Sequence, residues 1–166
     1  VLAVIIGVVL GVLASLRPGG VLDRVINVVA SVAIAIPAFW FGLVLVSLFA
    51  VSNQIFPAFG YAPLSDGVVP WFQHLVLPGV ALALLPAAEV TVQLRSALGQ
   101  VMAGDYVLNA KARGWSTASV VLKHALKNAC IPVVTVLGFR VAEVLGGAVT
   151  IEIIYSMPGM GSLAVN

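Results

Sequence analysis

Charge is what this sequence has least of. Asp, Glu, Lys and Arg make up 8% of its 166 residues, against 61% apolar ones. Soluble domains carry about a quarter charged residues, so water cannot be the solvent for most of this surface. A mean hydropathy of +1.16 points to lipid instead. Cysteine is almost absent, and the single Cys130 excludes an internal disulfide framework and a cysteine-rich metal site. The two histidines, His74 and His124, lie far apart without neighbouring ligand residues. No GxxxxGK[ST] phosphate loop occurs, so the chain is not expected to hydrolyse ATP itself. No HExxH site or nucleophile–base pair supports an intramembrane hydrolase. No sustained basic surface supports binding of nucleic acid, and no cofactor or metal is expected. Residues 1–16 have no basic flank before them and no small-residue cleavage site after them, which argues against a signal peptide.

What the sequence does have is long apolar runs. A membrane-crossing helix needs about 20 predominantly apolar residues. Four segments qualify or nearly so: 1–16, about 26–51, about 71–94 and about 131–152. Backbone groups in lipid must be satisfied within their own segment. The expected fold is therefore an all-α membrane protein, a polytopic transmembrane helix bundle forming a single domain over 1–166. The sequence opens inside an apolar run and ends soon after a Pro-Gly turn, so it reads as a fragment with further spans expected at both ends. Pro37, Pro78 and Pro86 fall inside predicted spans and are expected to kink them.

The connections fix the orientation. Residues 17–25 carry Arg17 and Arg24, and residues 95–130 carry Arg95, Lys111, Arg113, Lys123 and Lys127. The connection at 52–70 is rich in Pro and Gly, with Asp66 as its only charge. Basic residues accumulate on the cytoplasmic side. Two spans separate the basic connections, which puts both on one side of the membrane. Charge and parity together predict 17–25 and 95–130 as cytoplasmic and 52–70 as extracytoplasmic.

The long cytoplasmic segment has internal order. Asp105 is placed to cap a helix start and Gly114 to end it in a left-handed conformation, with Lys111 and Arg113 in the last turn where the helix dipole favours cations. Ser116 is placed to cap a second helix running toward Asn128, with Val121, Leu122, Ala125, Leu126 and Ala129 on its apolar face and Lys123, His124 and Lys127 on its polar one. Pro132 marks the expected start of the last span. A two-turn helix is marginal alone, so it rests either on acidic lipid or on a cytosolic partner; the residues leave both open.

Three stretches, DYVLNAKARGWS, VVLKHALKNACIPVVTVLG and LGGAVTIEIIYSMPGMGSL, together with IPAFWFGLVL, FPAFGY and HLVLPGVALALLPAAE upstream, carry a resemblance. They resemble the permease subunits of bacterial ABC importers for dipeptides, oligopeptides and nickel, and the likeness covers essentially the whole chain. It implies a type I importer fold whose 105–114 helix inserts into a cleft of the ATPase. The implied coupling residues are Asp105, Tyr106, Ala110, Lys111, Ala112, Arg113 and Gly114. The general motif of this loop places Glu-Ala-Ala six residues before the glycine, where this chain has Leu108, Asn109 and Ala110. The missing glutamate removes the basis for a specific salt bridge and leaves the docking helix in place. The implied partners are a second permease subunit, two cytosolic ATPase subunits, an extracytoplasmic solute-binding protein and the lipid bilayer. The cargo stays open.

Glu89, Arg140 and Glu143 fall within predicted spans. Such groups face a cavity or pair with one another. Arg140 and Glu143, three residues apart, read first as a self-neutralising pair, with a path-lining role as the alternative. Glu89 has only Arg95 nearby in sequence. Trp40, Trp71, Trp115, Tyr61 and Tyr155 suit anchoring at the membrane interface. The rival to an ATP-coupled permease is a self-contained channel or secondary transporter.

Overall fold

A proline decides the first departure from that outline. The apolar run at 26–51 is not one helix: α2 (Val21–Ala35) stops and α3 (Ala38–Leu45) begins afresh. Pro37 disfavours a helical Ile36 before it and has no amide to donate. It instead takes the N-cap place of α3 in an extended conformation, and its carbonyl accepts the Phe41 amide. Pro78 and Pro86, by contrast, lie within an uninterrupted α4 (Val68–Met102). The computed structural model describes residues 1–159 and 161, and their side chains except those of Tyr106, Leu108, Lys111 and residues 141–147.

Among the described residues every regular element is helical. The order is α1 (Leu2–Leu16), α2, α3 continued by a π-helical stretch (Val46–Ser52), a short 3-10 turn (Leu64–Asp66), α4, α5 (Asp105–Ala112), α6 (Thr117–Val120), a π-helical turn (Val121–Ala125) and α7 (Leu126–Ile154). By length and composition, α4 and the run Thr117–Arg140 can each cross a membrane, and α2 with Ala38–Ser52 counts as a third crossing if taken as one broken span. The helix expected after Ser116 and the last predicted span are therefore one continuous helical run, with Pro132 inside α7 rather than at its start. At 35 residues, α4 is about 52 Å long, well beyond the roughly 30 Å of a bilayer's hydrocarbon core.

The chain divides into two compact units. The first comprises 1–34 and 86–139. Its core sets Val90, Leu94, Ala97 and Leu98 of α4 against Val121, Ala125, Ala129 and Val133, with Val8, Val12 and Leu16 of α1 packed on it. Both sets recur at helical spacing, and the small residues let the helices approach closely. Gly7 and Gly11 do the same for α1. A methyl built on Gly7 would lie 2.6 Å from Val90 Cβ and 2.8 Å from the Ala87 carbonyl oxygen; one on Gly11 would lie 3.1 Å from Leu94 Cβ. Because Gly7 faces 87–90 and Gly11 faces 91–94, α1 and this half of α4 run parallel. The ends of α1 and α4 thus meet, as the parity argument required of 17–25 and the segment after Arg95.

The second unit comprises 35–85 and 140–166. Leu45, Val46, Leu77, Ala81, Ile151 and Tyr155 form its core. Tyr155 is not the interfacial anchor its type suggested. It is 2% exposed, and its hydroxyl donates to the Gly42 carbonyl (3.1 Å) while its own carbonyl accepts the Gly60 amide (2.8 Å). The ring fits because Gly42 leaves room, with Tyr155 Cε2 3.6 Å from where a Cβ would stand. Beyond it the chain turns back, and the Gly161 amide donates to Glu152 Oε1 (3.2 Å).

Candidate functional site

The segment between α4 and α6 is short once the helices are seen, and more than half of it is α5. Its start is a tight turn: the Ala103 and Gly104 amides donate to the Gln100 and Val101 carbonyls, and the Val107 amide to the Gly104 carbonyl. Gly104, not Asp105, thus stands just before the helix. Asp105 is its first residue, exposed, where its charge favours the positive helix end without capping it. Val107 is fully buried and fastens α5 to the first unit.

The far end is closed as the sequence predicted. Gly114 adopts φ +83°, a conformation that costs side-chain-bearing residues roughly 1–2 kcal/mol. The Trp115 amide reaches back to the Ala110 carbonyl (3.2 Å) and the Arg113 amide to Asn109 (3.2 Å). This is the six-to-one bond of a Schellman ending, and it satisfies carbonyls that a helix end would otherwise leave open. Ser116 then caps α6, its Oγ accepting the Ser119 amide (3.3 Å). Two caps within three residues of Gly114 thus separate α5 from α6.

The sequence-predicted coupling residues fall along this element. Ala110 is half-buried, and Asp105, Ala112, Arg113 and Gly114 are exposed. The backbones of Tyr106 and Lys111 belong to α5, and their side chains lie outside the described residues. Asn109, Ala110, Arg113, Trp115 and His124 line a groove of about 410 Å³. The Trp115 and His124 rings pack with centroids 4.8 Å apart and a 51° tilt. Neither Trp115 nor His124 stood out in the sequence as part of this site. Part of the apolar face of the second helix is turned inward: Val121, Ala125 and Ala129 are fully buried in the first unit's own core. Leu122, expected on that face, is 57% exposed, because the π-helical turn rotates the register there. Lys123, His124 and Lys127 are exposed, as expected.

Sequence reasoning missed a second feature. Asp23, 2% exposed, accepts from Arg95 twice (Nε to Oδ1 3.0 Å, a terminal nitrogen to Oδ2 2.8 Å). The Gly19 amide donates to Oδ2 (2.8 Å) and Asn27 Nδ2 to Oδ1 (2.7 Å). Four donors thus hold one buried carboxylate, which is the condition for burying a charge at all. The pair spans 72 residues of sequence. It ties the start of α2 to α4 ten residues before α5 begins. Arg95 is therefore engaged with Asp23 rather than held for Glu89, its neighbour in sequence. Glu89 is half-buried in the first unit and Arg140 belongs to the second; the side chain of Glu143 lies outside the described residues, as does any pairing with Arg140.

Comparison with known proteins places the chain in a family. The family described as "Binding-protein-dependent transport system inner membrane component" matches residues 7–166. The dipeptide transport system permease protein DppB of Bacillus subtilis (strain 168) is 43% identical over 166 residues, covering 99% of this chain and 51% of that protein. The probable peptide ABC transporter permease protein y4tP of Sinorhizobium fredii (strain NBRC 101917 / NGR234) is 37% identical over 166 residues, 100% of this chain and 53% of that protein. The oligopeptide transport system permease protein AppB of Bacillus subtilis (strain 168) is 36% identical over 168 residues, again 100% and 53%. The chain spans about half the length of these relatives. It belongs to the family of inner-membrane components of binding-protein-dependent transport systems.

Proposed function

We propose that this chain forms part of the membrane path of an ATP-driven peptide importer, and that α5 is the element through which a cytosolic ATPase moves it. The observation that carries the reading is α5 itself: a two-turn helix, ended by Gly114, anchored by Val107 and exposed at Asp105, Asn109, Ala112 and Arg113. A helix this short does not persist in water on its own propensity. Here it is built into the turn between two long apolar helices, so a push on α5 is transmitted to both. The two-span separation and the basic residues favour the cytoplasmic side for this end. A second permease subunit, two ATPases and an extracytoplasmic binding protein complete the proposed assembly. Peptides are the proposed cargo, following the relatives' own descriptions.

The test is a crosslink. In the full-length subunit, a single cysteine replaces Lys111 after Cys130 is changed to serine, and crosslinking to the co-expressed ATPase is measured in membranes. A crosslink whose yield changes with ATP is expected. Normal membrane insertion with no crosslink to an intact ATPase would turn the reading toward an ATPase-independent transporter.

A further inference from the structure

We propose that the groove between the end of α5 and the His124 ring receives a carboxylate side chain from the ATPase surface, so that the permease supplies the cation at this contact. The proposal rests on the reading of α5 as the ATPase-docking helix and adds the chemistry of the docked group.

Charge points the same way as shape. Between residues 95 and 130 the chain holds five Lys and Arg residues and one carboxylate, Asp105. Asp105 stands at the opposite end of α5 from Arg113, about 12 Å along the axis. Arg113 is exposed, and no ion pair among the described residues engages it. The carbonyls that close α5 are already bonded, Asn109 to the Arg113 amide and Ala110 to the Trp115 amide. The guanidinium is thus available for an outside acceptor.

Around it the groove offers further donors and an apolar wall. The Asn109 amide can donate on one side, and His124 presents a ring nitrogen on the other. Ala110 and the Trp115 ring, 41% exposed, provide the surface a methylene stem would cover. An exposed aromatic ring beside an arginine is the composition of residues that dominate protein contacts. A membrane surface fits less well. An anionic surface would repel the exposed carboxylate of Asp105 at the start of the same helix.

The experiment uses the full-length subunit with its partner permease in lipid nanodiscs, titrated with the cognate ATPase. Arg113→Glu is expected to weaken binding about tenfold or more, the scale of a close interfacial charge pair. Arg113→Lys keeps the charge and should stay within about threefold of wild type, because a single-point cation still meets a carboxylate. Lys127→Glu makes the same change of charge outside the groove and should leave affinity near wild type. Among single carboxylate-to-lysine changes on the ATPase face, one should restore binding to Arg113→Glu. Equal binding by Arg113→Glu and wild type, or equal weakening by Arg113→Glu and Lys127→Glu, would overturn the proposal while leaving α5 as the docking helix. Undiminished ATPase binding by Arg113→Glu, with reduced retention on phosphatidylglycerol vesicles, would assign the groove to lipid instead. Failure of the wild-type subunit to bind the ATPase at all would remove the reading on which the proposal stands.

Discussion

Removing Arg95 should damage the first unit more than neutralising its partner does, because the group left behind is the buried one. Asp23 is 2% exposed, whereas the Arg95 side chain is 38% exposed. Breaking a fully buried pair costs about 3–5 kcal/mol. Solvent reaching the arginine lowers that figure here, and Gly19 and Asn27 still hold the carboxylate. For Arg95→Met we expect about 2–3 kcal/mol. Asp23→Asn keeps the shape and one acceptor, and its stranded cation can turn to water, so about 1–2 kcal/mol is expected. Cys130 packs against the core of the same unit and serves as the reporter. With Cys130 as the only cysteine of the full-length subunit, its labelling by a thiol reagent is followed in mild SDS, where reaction requires that core to open. Since about 1.4 kcal/mol is a factor of ten, Arg95→Met should raise the rate about thirty- to 140-fold and Asp23→Asn about five- to thirtyfold. An exchange of the two residues should not restore the wild-type rate, because the donors at Gly19 and Asn27 would then face a guanidinium. Equal rates for Arg95→Met and Asp23→Asn, or full restoration by the exchange, would refute the reasoning.

Gly114→Val forces a β-branched residue into a left-handed backbone at a cost of at least about 1–2 kcal/mol. It should unwind the end of α5 and cut ATPase crosslinking while membrane insertion, read by protease protection of the loops, stays normal. Helical glycines separate by what they face: Gly7→Ala should destabilise by about 1–3 kcal/mol through overpacking against Val90 and Gly11→Ala by less. Gly79→Ala, with nothing within 4 Å of the new methyl, should gain up to about 1 kcal/mol from helix propensity. Thermal unfolding of the three variants in one detergent gives the order directly. Tyr155→Phe should cost only about 0.5–1 kcal/mol in the same assay, since the Gly42 carbonyl keeps its bond from the Val46 amide when the hydroxyl is gone.

Local chemistry was legible and distant chemistry was not. The end of α5 at Gly114 and the start of α6 at Ser116 could be read from residue types because each cap is made within about four residues of itself. Asp105 was displaced by one position for the same local reason: Gly104 offers the turn, so the acid moves into the helix. The expected orientation of the spans rests on where seven of the eight basic residues sit, and the parallel packing of Gly7 and Gly11 along α4 brings the two basic connections to one end. An apolar run, however, says that a segment is buried or in lipid without saying where it breaks. Only the structure divided 26–51 at Pro37 while carrying α4 through Pro78 and Pro86.

Tertiary structure alone decided the pairings. Asp23 sits in sequence between Arg17 and Arg24, either of which is a nearer cation than Arg95, yet both are exposed. The choice depends on α1 and α4 meeting at one end, which no residue near Asp23 encodes. The same holds for the Gly42–Tyr155 contact and for the groove that joins Arg113 to His124. Composition and spacing fix which solvent each segment meets and how each helix ends, because those are properties of neighbours along the chain. Which carboxylate meets which guanidinium is a property of helices packed together, and it exists only once they are.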